Sequence, residues 1–285
     1  MRCVNMLYYT RSLREHTKSP LYGAAGLSLW SEKTMSFFNY QGKEIFYSET
    51  GGGRPLMLLH GNTASSNMFQ DAAADYSDRY RVILFDFLGY GRSGRVESFP
   101  ADLWYDEARQ VIAFLEEKAY RDVLLIGSSG GALAAVNAAL ERPDLIAGVV
   151  ADSFEGIRAS GERAAGLALG REQSKKDPGA VMFYRAMLGD DWQSVVDSDT
   201  AAVLEHAKTI GDYFHKPLGE LKTPILLTGS REDPLLPQLE TVYKEFIAQA
   251  GHGETELFER GGHPAMLSNR EAFARRARAF FDGCR

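Results

Sequence analysis

A chain of 285 residues with 45% hydrophobic and 25% charged positions has the balance of a soluble globular protein and the length to bury a sizeable core. Its formal net charge of -6 excludes a broad nucleic-acid surface, which needs clustered Lys and Arg to neutralise phosphates. Two cysteines, Cys3 and Cys284, are too few for a disulfide framework or a metal cluster, and no apolar run approaches the roughly 18 residues of a membrane span.

Residues 1–34 differ in composition from the rest of the chain. They carry Arg2, Arg11, Arg14, Lys18 and Lys33 against only Glu15 and Glu32. No compact apolar stretch precedes a small-residue cleavage site, so the segment does not read as a secretory signal. A basic, acid-poor start is also the composition of an organelle-targeting segment. Met35 directly precedes a well-patterned strand, however, and a flexible extension outside the fold is the simpler reading. The expected compartment is the cytoplasm.

From residue 35 onward, strand and helix signals alternate. Residues 36–40 and 44–48 are short aromatic-rich runs separated by Gln41-Gly42-Lys43, a hairpin signal. A triple-glycine loop leads into 55–60 (PLMLLH), a continuous apolar run of the kind buried on both faces of a parallel sheet. Residues 65–80 predict a helix, and 81–87 (RVILFDF) a second buried strand. The spacing of Leu103, Val111, Phe114 and Leu115 predicts a helix over 101–119. A strand at 122–127, a small-residue helix at 130–142 and a strand at 145–151 follow.

Residues 154–221 carry no convincing strand and read as several short helices. The alternation then resumes with a strand at 224–228, a helix at 238–250, a strand at 254–259 and a closing helix at 269–281. This order predicts an α/β fold with a mostly parallel sheet flanked by helices. The helical stretch interrupts it and is expected to lie over one sheet edge as a lid. Its Phe154, Met182, Phe183, Tyr184, Met187, Trp192, Tyr213 and Phe214 could line an apolar pocket, although for any one of them packing onto the body is the simpler role.

The strongest chemical signal is Gly127-Ser128-Ser129-Gly130-Gly131, directly after one predicted strand and directly before a helix. It fits Gly-x-Ser-x-Gly in the strand–turn–helix setting that lifts a serine hydroxyl above a sheet. Only Ser129 has glycine on both flanks. With Ser128 at the centre, Ile126 would crowd the turn.

A serine hydroxyl needs a base. Of the six histidines, His16 lies in the N-terminal segment, His206 and His215 in the lid, and His252 in a turn before a strand. His60 ends a strand near the same sheet edge. His263 follows the last strand within Gly261-Gly262-His263-Pro264, a loop suited to presenting a side chain. The base needs a carboxylate to fix its tautomer. Asp233, in the polar loop after 224–228, is preferred over Asp152 at the end of the preceding strand, with Asp152 kept as the alternative.

These residues, in the order serine, acid, histidine, resemble the α/β-hydrolase superfamily in its lidded branch, from about residue 35 to the C-terminus. His60-Gly61-Asn62 resembles the family's His-Gly-x oxyanion loop. Asp86-Phe87-Leu88-Gly89-Tyr90-Gly91-Arg92-Ser93 resembles its Asp-x-x-Gly-x-Gly-x-Ser turn. The resemblance implies an α/β-hydrolase domain over 35–285 with a helical lid at about 154–221. It also implies an oxyanion hole made by the backbone N–H groups of Gly130 and Asn62. His60-Gly61-Asn62-Thr63 is further similar to haloalkane dehalogenases, but those enzymes carry an aspartate at the nucleophile position, where this chain has Ser129.

Gly89-Tyr90-Gly91-Arg92-Ser93-Gly94 also matches a dinucleotide fingerprint. That mechanism needs the glycines to open a helix, and residues 96–100 intervene before any helix. The expectation is a serine hydrolase that passes through an acyl-enzyme, most simply a carboxylesterase on small to medium apolar esters. Ser129, His263 and Asp233 act, and neither metal nor organic cofactor is needed. A C–C bond, lactone or amide hydrolase on the same triad, or a non-catalytic ligand-binding receptor, is the alternative. Oligomeric state is not legible.

Overall fold

The computed structural model describes residues 34–284. The extension expected over 1–34 lies outside them except for Thr34.

The chain opens with two antiparallel strands, β1 (Thr34–Tyr40) and β2 (Lys43–Thr50), which form the predicted hairpin. β3 (Arg54–Leu59) and β4 (Tyr80–Phe85) follow, and β4 pairs antiparallel with β2 but parallel with β3. β5 (Val123–Ser128), β6 (Ile146–Asp152), β7 (Ile225–Ser230) and β8 (Glu254–Phe258) extend the sheet in parallel. The order is β1-β2-β4-β3-β5-β6-β7-β8. Every residue of the central β5 is buried, as a strand covered on both faces requires.

Helix α1 (Leu103–Glu117) buries Leu103, Val111, Phe114 and Leu115 along one stripe. Helix α2 (Gly130–Glu141) is built almost entirely of small apolar residues and buries nearly all of them. Its approach to the sheet is close enough to forbid a side chain at Gly131, where a Cβ would lie 2.3 Å from the Leu59 carbonyl oxygen. Gly127 is excluded for the same reason, since its Cβ would fall 2.2 Å from the Gly131 oxygen. The two glycines flanking Ser129 are therefore packing requirements of the strand-to-helix turn.

The predicted helix over 65–80 does not form. Two short 3-10 turns, Ser66–Phe69 and Ala72–Asp75, take its place. Side chains compete for the backbone there. Asp86 Oδ1 accepts from the Ser66 N–H (2.8 Å), Arg270 donates to the Asp71 carbonyl (2.6 Å) and Arg278 Nε to the Asp75 carbonyl (2.8 Å).

Between β6 and β7 the chain leaves the sheet as a helical insertion of α3 (Gly161–Ser174), α4 (Pro178–Leu188) and α5 (Trp192–Thr209). Ser160 caps α3 by accepting from the Arg163 N–H, and Asp177 caps α4, which has Pro178 in its first turn. The insertion's two ends meet at one antiparallel bridge, Arg158 against Asp212. Of its aromatic and methionine side chains only Met182 is exposed; Trp192 stacks on Tyr184, and Phe154 stacks on Tyr243 of α6 (Leu239–Ala250). They pack the insertion and its base. Helices α7 (Ala265–Ser268) and α8 (Arg270–Asp282) close the chain.

Candidate active site

Ser129 sits between the end of β5 and the start of α2 at φ 55°, ψ -122°. This is a strained backbone for a residue with a Cβ, of a kind that costs on the order of 1–3 kcal/mol and persists only where surroundings enforce it. Here the enforcement is visible. The Ser129 N–H donates to the Asp152 carbonyl (2.8 Å), and its own carbonyl accepts from the Ala132 N–H (2.9 Å). Ser129 is half-buried, whereas the neighbouring Ser128 is buried and its hydroxyl has no partner among the described residues. Of the two serines, only Ser129 is turned outward, at the mouth of the α2 N-terminus, where developing negative charge is favoured.

His263 lies in the loop between β8 and α7, and its Nδ1 is 2.8 Å from Asp233 Oδ2. A carboxylate only accepts, so Nδ1 carries the proton and Nε2 is left as the acceptor that a general base requires. Asp233 is buried, and its second oxygen accepts from the Leu235 N–H at 2.9 Å. Both carboxylate oxygens are thus committed, one to the imidazole and one to the turn that aims it.

Asp152, the alternative acid, is committed elsewhere. Its Oδ2 accepts from the Met266 N–H (3.0 Å) and its Oδ1 from the hydroxyls of Thr228 (2.8 Å) and Ser153 (3.2 Å). Ser153 Oγ in turn accepts from the Ala265 N–H (2.9 Å). Asp152 and Ser153 therefore clamp the segment just after His263 to the end of β6, the strand end whose carbonyl also holds Ser129. Burial pushes the Asp152 carboxyl up to about 7, against these hydrogen bonds.

The loop after β3 carries His60, Gly61 and Asn62. His60 is buried, with Nδ1 donating to the Gly61 carbonyl (2.8 Å) and Nε2 accepting from the Phe87 N–H (3.1 Å). Both ring nitrogens are spent on shaping the loop, and burial holds the imidazole below its usual range. Gly61 lies so close to the serine turn that a Cβ on it would be 2.8 Å from Ser129 Cβ and 3.4 Å from the Gly130 nitrogen. Asn62 is brought just as near, because a Cβ on Gly130 would meet Asn62 Oδ1 at 2.2 Å. The loop that carries Asn62 therefore packs directly against the Ser129–Gly130 turn. Asp86 closes the following turn by accepting from Ser66 and Arg92, which gives the Asp-x-x-Gly-x-Gly-x-Ser motif a structural role; the next helix begins only at Leu103.

The family model described as the alpha/beta hydrolase family matches residues 56–276. The chain belongs to the alpha/beta hydrolase family. Within it, the chain is similar to haloalkane dehalogenase 2 of Mycobacterium tuberculosis, 32% identical over 115 residues. That match spans only 40% of this chain and 40% of the dehalogenase. A longer match, 25% identical over 88% of this chain and 93% of the relative, is to the 2-hydroxy-6-oxo-6-(2'-aminophenyl)hexa-2,4-dienoic acid hydrolase of Metapseudomonas resinovorans. In fold it matches a carboxylesterase of Bacillus subtilis with a TM-score of 0.66 at 19% identity, over 96% of this chain and 98% of that one. No helix among the described residues of this alpha/beta hydrolase is long and apolar enough to cross a membrane.

The hydrolase also holds a polar cluster that the sequence did not reveal. Asp199 of α5 is fully buried, and its carboxylate accepts from Arg171 of α3 (2.6 Å), from the Tyr90 hydroxyl and from Asn62 Nδ2 (2.9 Å). Trp104 Nε1 donates to Asn62 Oδ1 at 3.0 Å, and the Trp104 ring meets His206 edge-on. Glu107 of α1 is buried nearby, and burial together with the Asp199 charge pushes its carboxyl well above the usual range. In sequence, Asp199 and Arg171 are charged positions within the helical stretch. No local pattern marks them, because their partners lie up to 137 residues away.

A groove of about 660 Å³, lined by Glu155, Arg158, Asp212 and Lys216 among others, lies at the neck of the insertion, and none of Ser129, His263, Asp233 and Asn62 lines it.

Proposed function

We propose that this alpha/beta hydrolase is a serine hydrolase that forms and then hydrolyses an acyl-enzyme, acting as a carboxylesterase on small to medium apolar esters. Ser129 Oγ attacks the ester carbonyl as His263 Nε2 takes its proton. The imidazolium is stabilised by Asp233 and gives the proton to the departing alkoxide. The tetrahedral oxyanion is received by the N–H groups of Gly130 and Asn62, each such donor contributing on the order of 3 kcal/mol to the transition state. A water activated by the same histidine then releases the acid. No step needs a metal or an organic cofactor.

The observation that carries this reading is the His263–Asp233 hydrogen bond at 2.8 Å, which leaves Nε2 as the free basic nitrogen, on a loop clamped to the strand end that also holds Ser129. A serine at the nucleophile position argues against dehalogenation, which in the dehalogenases this chain resembles uses an aspartate there. The dehalogenase-like Asn62 is also occupied: its side-chain N–H₂ donates to Asp199.

Hydrolysis of a C–C bond β to a carbonyl is the second reading. It is favoured by the match to the Metapseudomonas resinovorans hydrolase, which extends over 88% of this chain. A panel of chromogenic esters of increasing acyl length, run beside a vinylogous 1,5-diketone acid and with Ser129→Ala as control, separates the two. Ester turnover that Ser129→Ala abolishes supports the first reading. Cleavage of the diketone alone supports the second. Absence of both, with no labelling of Ser129 by a fluorophosphonate, refutes hydrolysis.

A further inference from the structure

We propose that Asp199 is a positioning residue for the oxyanion loop, acting through the Asn62 side chain, so that the helical insertion sets the geometry in which Asn62 presents its backbone N–H. This rests on the serine-hydrolase reading above.

The Asn62 amide is held at both ends by groups that permit one orientation only. An indole N–H can only donate, so Trp104 must face Oδ1; a carboxylate can only accept, so Asp199 must face Nδ2. Trp104 belongs to α1 in the body of the protein, and Asp199 belongs to α5 in the insertion. Asn62 is therefore a strut between the two, beside the nucleophile turn.

Asp199 is itself over-determined. The Arg171 guanidinium on one oxygen, with Tyr90 and Asn62 on the other, give it a donor from α3, from the turn after β4 and from the oxyanion loop. A lone buried carboxylate would be expelled or protonated, and the neighbouring Glu107 is pushed toward the neutral form. The Arg171 pairing fixes the direction in which the Asp199 oxygens face. A purely structural latch between insertion and body would not need to end on Asn62. An exposed pair, Arg95 with Asp191 just before α5, already ties the insertion to the body at 2.7 and 2.8 Å without touching the loop.

The test uses the full chain and the chromogenic ester turned over best. Asp199→Ala and Asn62→Ala are each expected to lower kcat roughly ten- to a hundredfold with KM within about threefold, as for a misplaced oxyanion donor. The double variant falls no further than the worse single one, because both remove the same strut. Asp191→Asn leaves kcat unchanged. Asp199→Ala could lose the fold by stranding Arg171, so Asp199→Asn combined with Arg171→Met is read beside it. That pair removes both charges but keeps an oxygen for Asn62, and kcat returns to within about fivefold of the parent.

Hydrogen exchange of the 60–64 amides reads the same strut without turnover, and it should quicken at least tenfold in Asp199→Ala and not in Asp191→Asn. Folded Asp199→Ala with kcat within threefold of the parent, multiplying losses in the double variant, or unchanged exchange overturns the proposal. A parent with no ester turnover and no Ser129 labelling overturns the hydrolase reading instead, and the exchange result still decides the positioning role.

Discussion

Replacing Asp233 with Asn should abolish turnover while leaving the protein folded, and the structure says why the loss is large. Asp233 Oδ1 accepts from the Leu235 N–H at 2.9 Å and Oδ2 faces His263 Nδ1 at 2.8 Å. An asparagine must keep its carbonyl oxygen toward Leu235, because an amide N–H₂ there would oppose another donor. Its N–H₂ then faces Nδ1 and forces the proton onto Nε2. The base arrives at Ser129 already protonated. By analogy with serine proteases this wrong tautomer costs on the order of 10⁴ in kcat, or about 5 kcal/mol of transition-state stabilisation.

Asp152→Asn provides the contrast. Its Oδ2 accepts from the Met266 N–H, but its Oδ1 meets two hydroxyls that can reverse and accept instead. An asparagine fits with its N–H₂ toward Thr228 and Ser153, and turnover should stay within about tenfold of the parent, as a volume-conserving change off the reaction path. Steady-state kinetics on one chromogenic ester, with circular dichroism to verify folding, checks both. If Asp152→Asn loses four orders of magnitude and Asp233→Asn does not, the acid has been misassigned.

Asp152 also predicts a pH dependence. Its carboxyl is raised to about 7 in the folded protein, chiefly by burial, so between the ordinary carboxylate range and 7 the folded state binds the extra proton and this group's contribution to stability falls as pH rises. The stability advantage of the parent over Asp152→Asn should therefore shrink from pH 5 to pH 8 in urea titrations; an advantage that grows with pH would contradict the assignment. Gly61→Ala places a methyl 2.8 Å from Ser129 Cβ and 3.0 Å from the Ser128 carbonyl oxygen. It should lower kcat on the order of a hundredfold by spreading the oxyanion pair, and near-parental kcat would show that the loop yields freely. A fluorophosphonate should label Ser129 and not the buried Ser128, which peptide mass analysis decides. Removing residues 1–33, which precede β1, should leave the melting temperature and ester turnover close to those of the full chain; a fall of many degrees would mean that the segment packs on the body.

Much of this protein was legible from local pattern. The apolar runs at 55–60 and 122–127 are strands because both faces of a parallel sheet are covered, and no polar alternation interrupts them. Ser129 could be chosen over Ser128 because only one register of Gly-Ser-Ser-Gly-Gly leaves room for the turn, and the Cβ clearances at Gly127 and Gly131 give that choice its physical basis. His263 stood out because its loop follows the last strand. Each of these is a short-range constraint, carried by residues within a few positions of one another.

What tertiary structure decided depends on partners distant in sequence. Residues 65–80 have helical composition, yet Arg270 and Arg278, about 200 positions away, take carbonyls that a helix would use. Asp152 ends β6 and Asp233 follows the neighbouring β7, and only their hydrogen-bond partners distinguish the one that holds His263 from the one that clamps its loop. Asp199 and Arg171 lie on polar helices, yet they are buried because the insertion folds back onto the loop that carries Asn62. Burial and pairing belong to the folded surface, and a charged residue in a polar helix carries no sign of which carboxylate or guanidinium the fold will bring against it.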